Sequence, residues 1–207
     1  MNKRPALGLI VVAVFIGTII DVPPVFAPTA ESFLTIEGAN ASIDDDDDEL
    51  TIELTVEGLR IPTNGTEGAF GYGILTDEGD AILVAHTHRG VMDSEAQSSI
   101  EDPVWHNHFV KLGDVEQCGE DQGIIDITWQ SPGEVRINND SASISDIPTD
   151  EFEGWDSITG EPLSMMMAED VDDVISFKLD PVFDEENGLE AVCVTDIRSA
   201  EEEVNVD

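Results

Sequence analysis

The sequence predicts an all-β domain, an antiparallel sandwich or barrel of about eight to ten short strands. Several segments alternate apolar and polar residues, and the clearest is Leu-Thr-Ile-Glu-Leu-Thr-Val-Glu at 50–57. This two-residue period is typical of a strand with one buried face. Clusters of Gly, Pro, Asn and Asp separate these segments, and no stretch shows the period of an amphipathic helix of normal length. Strands joined by turns must therefore build the core.

The strand pattern recurs along the chain in about ten segments. They are residues 32–37, 50–57, 70–75, 81–88, 104–112, 123–129, 134–137, 141–145, 174–179 and 189–197. Two turn signals, Asp77-Glu-Gly-Asp80 and Asn138-Asn-Asp140, predict hairpins between the strands that flank them. Residues 148–172, in which Pro and Gly are scattered among acids, are predicted to be irregular.

The first 30 residues are predicted to export the protein. Lys3 and Arg4 precede a run of 15 residues without a charge, Ala6 to Ile20. That run is typical of a signal peptide and short for a membrane-spanning helix of about 20 residues. Residues 1–30 are therefore either a signal peptide or an N-terminal anchor in which residues 6–20 form a membrane tether. Residues 31–198 are expected to form a single extracellular or cell-surface β domain, and residues 199–207 an acidic tail.

The composition is strongly acidic. Of the 207 residues, 46 are Asp or Glu and eight are Lys or Arg, a formal charge of −38 that becomes −39 without residues 1–30. A field of this sign repels nucleic acid and anionic membrane surfaces, so the sequence excludes those partners. It favours adaptation to high salt or to an acidic, cation-rich cell surface.

The chain has two cysteines, Cys118 in a polar loop and Cys193 in an apolar strand segment. In an exported protein this pair predicts one disulfide. The alternative is one buried free thiol and one loop thiol.

Three Asn-x-Ser/Thr sequons begin at Asn40, Asn64 and Asn139. Their polar, turn-like surroundings favour surface glycosylation. The alternative is chance, because the motif is short.

All four histidines of the chain lie in two His-x-His pairs, His86 with His88 and His106 with His108. Residues i and i+2 of a strand share a face, so each pair presents two imidazoles side by side. In both segments the histidines continue an apolar row, which predicts that they point inward. If the two strands are antiparallel neighbours, the four rings converge. A buried cluster of four imidazoles is hard to satisfy without a cation.

This pattern predicts a metal site, and imidazole ligands favour a Zn or Cu ion. The loop between the pairs offers Asp93, Glu95 and Asp102, either as additional ligands or as acceptors that fix the histidine tautomers. The alternative is that one pair is exposed and structural while the other belongs to the core.

Two other segments resemble ion sites more weakly. The run of five aspartates at 44–48 suggests calcium but lacks the spaced Asp and central Gly of an EF-hand, so we interpret it as a solvated turn. The run Met165-Met-Met167 suggests copper(I) thioether ligation, but methionine more often fills irregular gaps in a core.

Two short resemblances include the histidine segments. His86-Thr-His88-Arg-Gly90, together with Gly113-Asp114-Val115, is similar to fragments of the copper/zinc superoxide dismutase sandwich, whose first copper ligands form a His-x-His on a strand. That family uses more histidines than this chain contains, including a bridging one. Segments 85–93, 102–109 and 176–183 resemble an uncharacterised group of exported archaeal proteins, to which no activity is assigned.

The sequence thus indicates an extracytoplasmic, acidic, metal-binding β domain. Two other classes stay open. One is a metal-dependent oxidoreductase or hydrolase in which an open coordination position activates water or O₂. The other is an acidic cell-surface structural protein without chemistry. The sequence contains no Gly-x-Ser-x-Gly, phosphate-binding loop or dinucleotide fingerprint, so it assigns no catalytic residue.

The charge predicts that stability depends on salt. Repulsion among the acids destabilises the compact state at low ionic strength, and salt screens it. We expect the melting temperature to fall when the folded domain is dialysed from molar salt into dilute buffer. Equal melting curves in the two buffers, measured by circular dichroism at one pH, would contradict this.

Overall fold

The structure is a computed structural model that describes residues 31–44, 48–77, 79–168, 170–186 and 188–206. The predicted export segment and the centre of the acidic run, residues 45–47, lie outside the described residues. Thirteen strands occur in the described part: β1 (Ile36–Asp44), β2 (Glu49–Val56), β3 (Ala69–Thr76), β4 (Ile82–Thr87), β5 (His106–Asp114), β6 (Gln122–Ile127), β7 (Glu134–Asn138), β8 (Ser141–Pro148), β9 (Glu151–Trp155), β10 (Pro162–Met166), β11 (Val171–Phe183), β12 (Leu189–Ser199) and β13 (Asn205–Val206). Two 3₁₀ turns, Ser32–Leu34 and Glu116–Cys118, complete the described elements.

The strands form a closed six-stranded barrel, a five-stranded sheet and a separate hairpin. The barrel order is β11-β12-β6-β5-β4-β3, with β3 pairing back to β11, and every pair in it is antiparallel. The sheet order is β13-β1-β2-β8-β7, and the hairpin joins β9 to β10. The predicted all-β, antiparallel class is therefore confirmed. In the residues that the structure describes, no helix has the length and apolar character needed to cross a membrane.

Two buried clusters lie on opposite faces of the barrel wall. Leu83 of β4 belongs to a large cluster that also contains Ile52 of β2. Its neighbour Val84 belongs to a second cluster with Phe177 of β11. Because successive side chains of a strand point to opposite faces, the first cluster lies between barrel and sheet and the second fills the barrel. His86 shares the face of Val84 and so points into the barrel.

Both predicted hairpins are present. β3 pairs with β4 across the acidic turn, and β7 pairs with β8 across Asn139 and Asp140. Asn139 has φ 55°, a left-handed conformation that Asn tolerates better than most residues.

The prediction that residues 148–172 are irregular is wrong, because β9 and β10 lie within this range and pair with each other. Each strand has only five residues, and Gly154 in β9 and Pro162 at the start of β10 are residue types typical of turns. The hairpin nevertheless contacts the core, since the ring of Phe152 lies 5.3 Å from that of Phe109.

The three adjacent methionines do not converge. Met165 and Met167 are buried in the cluster between barrel and sheet, while Met166 is exposed on the opposite side. Alternation along the chain separates their sulfur atoms, and the buried pair fills the core.

The ends of the described chain differ in detail from the predicted strands. Ser32–Leu34 forms a 3₁₀ turn, and the strand predicted from residue 32 begins at Ile36. Within the segment predicted as an acidic tail, Asn205 and Val206 pair in parallel with β1. The amide of Glu201 also donates to the carbonyl of Ile36.

The predicted disulfide is confirmed. Cys118 and Cys193 are bonded, with 5.4 Å between their Cα atoms. Cys118 lies in the turn after β5, and Cys193 lies on β12 opposite Gly123 of β6. The bond therefore fastens the turn between β5 and β6 to the neighbouring barrel strand.

Removing this bond should cost much of the stability of the barrel. On the chain-entropy model, a crosslink across a sequence separation of 75 stabilises by about 4–5 kcal/mol. We expect Cys118→Ser with Cys193→Ser to lower the urea midpoint accordingly at fixed salt. Wild-type protein treated with a reductant is the matched control and should behave the same way, whereas equal midpoints with and without the bond would contradict the expectation.

Candidate metal centre

The register of β4 and β5 brings the histidine pairs together at one end of the barrel. His86 lies directly opposite His106, and Val84 lies opposite His108. His88 follows Thr87, the last residue of β4. All four histidine residues are buried, none of them more than 5% exposed. The predicted inward orientation of the histidines is therefore observed.

The four rings form one compact cluster. The ring centroids of His86 and His106 are 4.5 Å apart, and their Nε2 atoms are separated by 2.9 Å. The ring of His108 lies 4.9 Å from that of His86 and 5.0 Å from that of His106, while His88 lies 4.9 and 5.3 Å from the same two rings.

Asp93 brings a carboxylate to the centre of this cluster. Its Oδ1 lies 3.2 Å from Nε2 of His106. Its Oδ2 lies 3.1 Å from Nε2 of His88 and 3.8 Å from Nε2 of both His86 and His108. All four imidazoles therefore face a single carboxylate.

The loop that carries Asp93 is held from two sides. The side-chain carbonyl of Gln97 accepts hydrogen bonds from the backbone amides of Asp93 and Ser94. The hydroxyl of Ser157, in the turn between β9 and β10, donates to the carbonyl of Asp93. The amide of Glu95 donates to the carbonyl of Trp129 beyond β6. The backbone at Asp93 is thus fixed by segments distant in sequence.

Four of these residues could hold one metal ion. The donor atoms of His86, Asp93, His106 and His108 all lie within 4.8 Å of one another. Ligands about 2.0–2.2 Å from an ion and 90–130° apart are separated by about 2.9–3.9 Å. The separation of 2.9 Å between the Nε2 atoms of His86 and His106 and that of 3.8 Å between His108 and Asp93 fall in this range.

The backbone fixes the tautomers so that acceptors face the centre. Nδ1 of His106 donates to the carbonyl of Val104 at 2.8 Å, and Nδ1 of His108 donates to that of Thr128 at 2.5 Å. A neutral imidazole carries one proton, so both Nε2 atoms present lone pairs. Nε2 of His108 is buried without a hydrogen-bond partner, and Nε2 of His106 faces a carboxylate oxygen. A cation placed between acceptors that face each other in this way would satisfy them.

Burial and mutual repulsion disfavour protonation of two of the rings, His86 and His108. Burial lowers the pKa of His108 to about 4. Burial, and then repulsion from His106 and His108, holds the pKa of His86 well below its ordinary value. Burial alone raises the pKa of Asp93, but the hydrogen bond from His88 and the electrostatic influence of the surrounding histidines outweigh it and keep the pKa far below its usual range. His86 and His108 therefore offer neutral imidazoles and Asp93 an ionised carboxylate, the forms that bind metal.

The other two candidate carboxylates stay outside the group of four. Glu95 is exposed. The carboxylate of Asp102 accepts hydrogen bonds from the hydroxyl and amide of Ser98 and from the amide of Val104, so it organises the loop. Asp93 differs from both because its backbone is anchored over the rings.

Three residues that support the centre were not predicted from the sequence, namely Gly71, Gln97 and Ser157. Gly71 of β3 lies opposite His86, and a Cβ at this position would come within 2.4 Å of the carbonyl oxygen of Ala85 and 2.6 Å of Cβ of His86. Only glycine lets β3 approach the histidine strand this closely. Neither Gln97 nor Ser157 belongs to a local motif, and Ser157 is 64 residues from Asp93.

All three sequon asparagines are exposed, Asn40 on β1, Asn64 in the loop before β3 and Asn139 between β7 and β8. Their glycosylation stays a prediction.

No protein family model, curated protein or solved structure matches the chain. The resemblances to superoxide dismutase fragments and to exported archaeal proteins therefore stay predictions, and the site must be interpreted from its own geometry.

The pKa shifts predict that the metal-free protein loses stability as the pH falls from about 6.5 towards 4. In this window unfolded imidazoles bind protons, with an ordinary pKa of 6.5, but folded His108 does not, with a pKa of about 4. Acid therefore favours the unfolded state. We expect the urea midpoint of chelator-treated protein to decline between pH 7 and pH 5.

That decline in stability can be assigned to the histidine cluster, because all four histidines of the chain belong to it. Carboxylates titrate mainly below this range. His108→Gln should show a shallower decline than the wild type, and a midpoint that is flat between pH 7 and pH 5 in the wild type would contradict the expectation.

Proposed function

We propose that the protein is an extracytoplasmic metal-binding domain in which His86, Asp93, His106 and His108 hold one Zn(II) or Cu(II) ion. The observation that carries this proposal is the Nε2 atom of His108. It is a buried acceptor without a hydrogen-bond partner, and it lies among the other acceptors of the cluster. A divalent cation satisfies the imidazole lone pairs and neutralises the carboxylate. Protons do so less well, because burial of the rings opposes their charged form.

The donor set supports these two metals. Three imidazole nitrogens and one carboxylate oxygen suit Zn(II) with tetrahedral geometry, and Cu(II) with a flatter one. The cysteines are joined to each other, so thiolate is not available to select a softer ion. Four protein ligands around Zn(II) form a closed site, which favours a structural or storage role.

An enzymatic role is the second candidate, and the position of Asp93 favours it. The side chain of Asp93 is 16% exposed, whereas the three histidine ligands are at most 1% exposed. Among the four proposed ligands, Asp93 is therefore the one next to solvent, from which water or O₂ would come. Movement of Asp93 would open a coordination position and would make a metal-dependent hydrolase or oxidoreductase feasible.

An extracellular or cell-surface location is part of the proposal. The Cys118–Cys193 disulfide supports an oxidising compartment. The exposed sequons and the acidic composition agree with that location, and residues 6–20 would supply export or a membrane tether.

Metal analysis of the purified protein tests the proposal. After equilibration with Zn(II) or Cu(II) and desalting, we expect one ion per chain by mass spectrometry of the elements. His86→Ala and His106→Ala should each abolish it, because one ion needs both residues. Glu95→Gln, an exposed carboxylate on the same loop, is the matched control and should keep full occupancy.

Stability provides a second measurement for variants that retain the fold. An ion present at 100 times its dissociation constant stabilises the native state by about 2.7 kcal/mol. Wild type and Glu95→Gln should gain melting temperature on adding metal, and the histidine variants should not. Full occupancy in either histidine variant would refute a shared site, and a wild type that binds no ion would leave an acidic surface protein without metal chemistry.

A further inference from the structure

We infer that His88 is not a ligand of the ion but a positioning residue that holds the ligating carboxylate of Asp93. This inference rests on the proposed metal site and divides the four histidines into three ligands and one support. The sequence pattern alone treats all four alike.

The first argument is the position of His88. The group whose donor atoms lie within 4.8 Å of one another contains the other three histidines and Asp93, and His88 is not part of it. Its position on the chain explains this. His86 and His106 form a directly opposed pair within the ladder of β4 and β5, whereas β4 ends at Thr87, one residue before His88. His88 therefore lies beyond the paired region that aligns the other rings.

The second argument is the hydrogen bond that His88 makes. Its Nε2 lies 3.2 Å from Oδ1 and 3.1 Å from Oδ2 of Asp93. An ionised carboxylate can only accept, so Nε2 of His88 carries the proton and donates it. A ring nitrogen that carries a proton has no lone pair for a metal. For His106 and His108 the opposite holds, because their Nδ1 atoms donate to backbone carbonyls and leave Nε2 free.

The third argument concerns what Asp93 needs. Its backbone is held by Gln97 and Ser157, but neither of these contacts touches the carboxylate. Without a further contact, a side chain that reaches solvent could rotate outward. A donor that spans both oxygens sets the orientation of the carboxylate plane and leaves lone pairs on each oxygen for the ion. His88 is buried to 5% exposure and is itself held in place at the end of the strand.

Copper-loaded protein provides a test that separates a support from a ligand. His88→Leu removes the donor while keeping a side chain of substantial volume, and His88→Gln keeps an N–H group that can reach Asp93. His108→Leu serves as the reference for loss of a true ligand, and Glu95→Gln as the loop control. Each variant is assayed for ions per chain, for its Cu(II) electron paramagnetic resonance spectrum and for the rate of copper transfer to a chelator.

We expect His88→Leu to retain one copper ion with a changed spectrum, to bind it about 10- to 100-fold more weakly, the range typical when a residue supporting a ligand is removed, and therefore to lose it to the chelator faster. His88→Gln should restore both the wild-type spectrum and the slow transfer. The double variant His88→Leu with Asp93→Asn should resemble Asp93→Asn alone, because His88 acts through Asp93. His108→Leu should lose the ion.

Two results would overturn the inference. If His88→Leu loses copper as completely as His108→Leu, and His88→Gln does not restore it, His88 is a ligand. If His88→Leu matches the wild type in spectrum and transfer rate, His88 has no role at the centre. Failure of the wild type to bind one ion would instead refute the proposed function. If His88→Leu does not fold, His88→Gln still decides the question. A role of His88 as a ligand predicts a changed copper spectrum for this variant, and a role as a donor to Asp93 predicts the wild-type spectrum.

Discussion

The structure around the site depends on one pairing, His86 of β4 directly opposite His106 of β5. A slip of one residue in this register would turn every histidine of one strand to the other face of the wall. Three constraints oppose such a slip. Gly71 of β3 allows the backbone of β4 to pack closely against it. The carbonyl of Thr128, after β6, accepts a hydrogen bond from His108. Leu83 and Phe109 point outward from the barrel and pack in the core between barrel and sheet. The apolar packing thus determines where the imidazoles meet.

The carboxylates of the chain differ in their surroundings. Most acids in the described part of the chain are exposed or partly exposed, where salt screens their repulsion. Asp156 is buried, and backbone amides donate to both of its carboxylate oxygens. Asp93 is partly buried and differs from the other acids because its carboxylate is surrounded by four imidazoles. An ionised group in such a place is stable only with compensating charge or hydrogen bonds. The protein therefore keeps a partly buried negative charge where an inserted cation would balance it, and the surrounding acids raise the local concentration of cations.

Much of the architecture could be predicted from local patterns, and the missing parts share a physical cause. Alternation at 50–57 and in the histidine segments identified strands, and turn residues at 138–140 located a hairpin, because these signals depend on neighbouring residues. The choice of Asp93 over Glu95 and Asp102 depends on contacts with Gln97, Ser157 and Trp129, which no short motif encodes. The hairpin of β9 and β10 was missed because its strands have only five residues each, and Gly154 in β9 and Pro162 at the start of β10 are residue types typical of turns. The difference between His88 and the other histidines needed the end of β4 and the tautomers, which are properties of the folded chain.

The two ends of β5 lie next to different groups, the candidate metal centre at one end and the disulfide near the other. His106 begins the strand at the candidate metal centre, and the turn after Asp114 leads to the disulfide at Cys118. A strand of nine residues is roughly 30 Å long, so the two sites share no side-chain contact through which they could couple. The disulfide restricts the conformations of the unfolded chain whether or not metal is present, while an ion would stabilise only the folded site. The stabilisation from the disulfide therefore does not depend on whether the proposed site holds an ion.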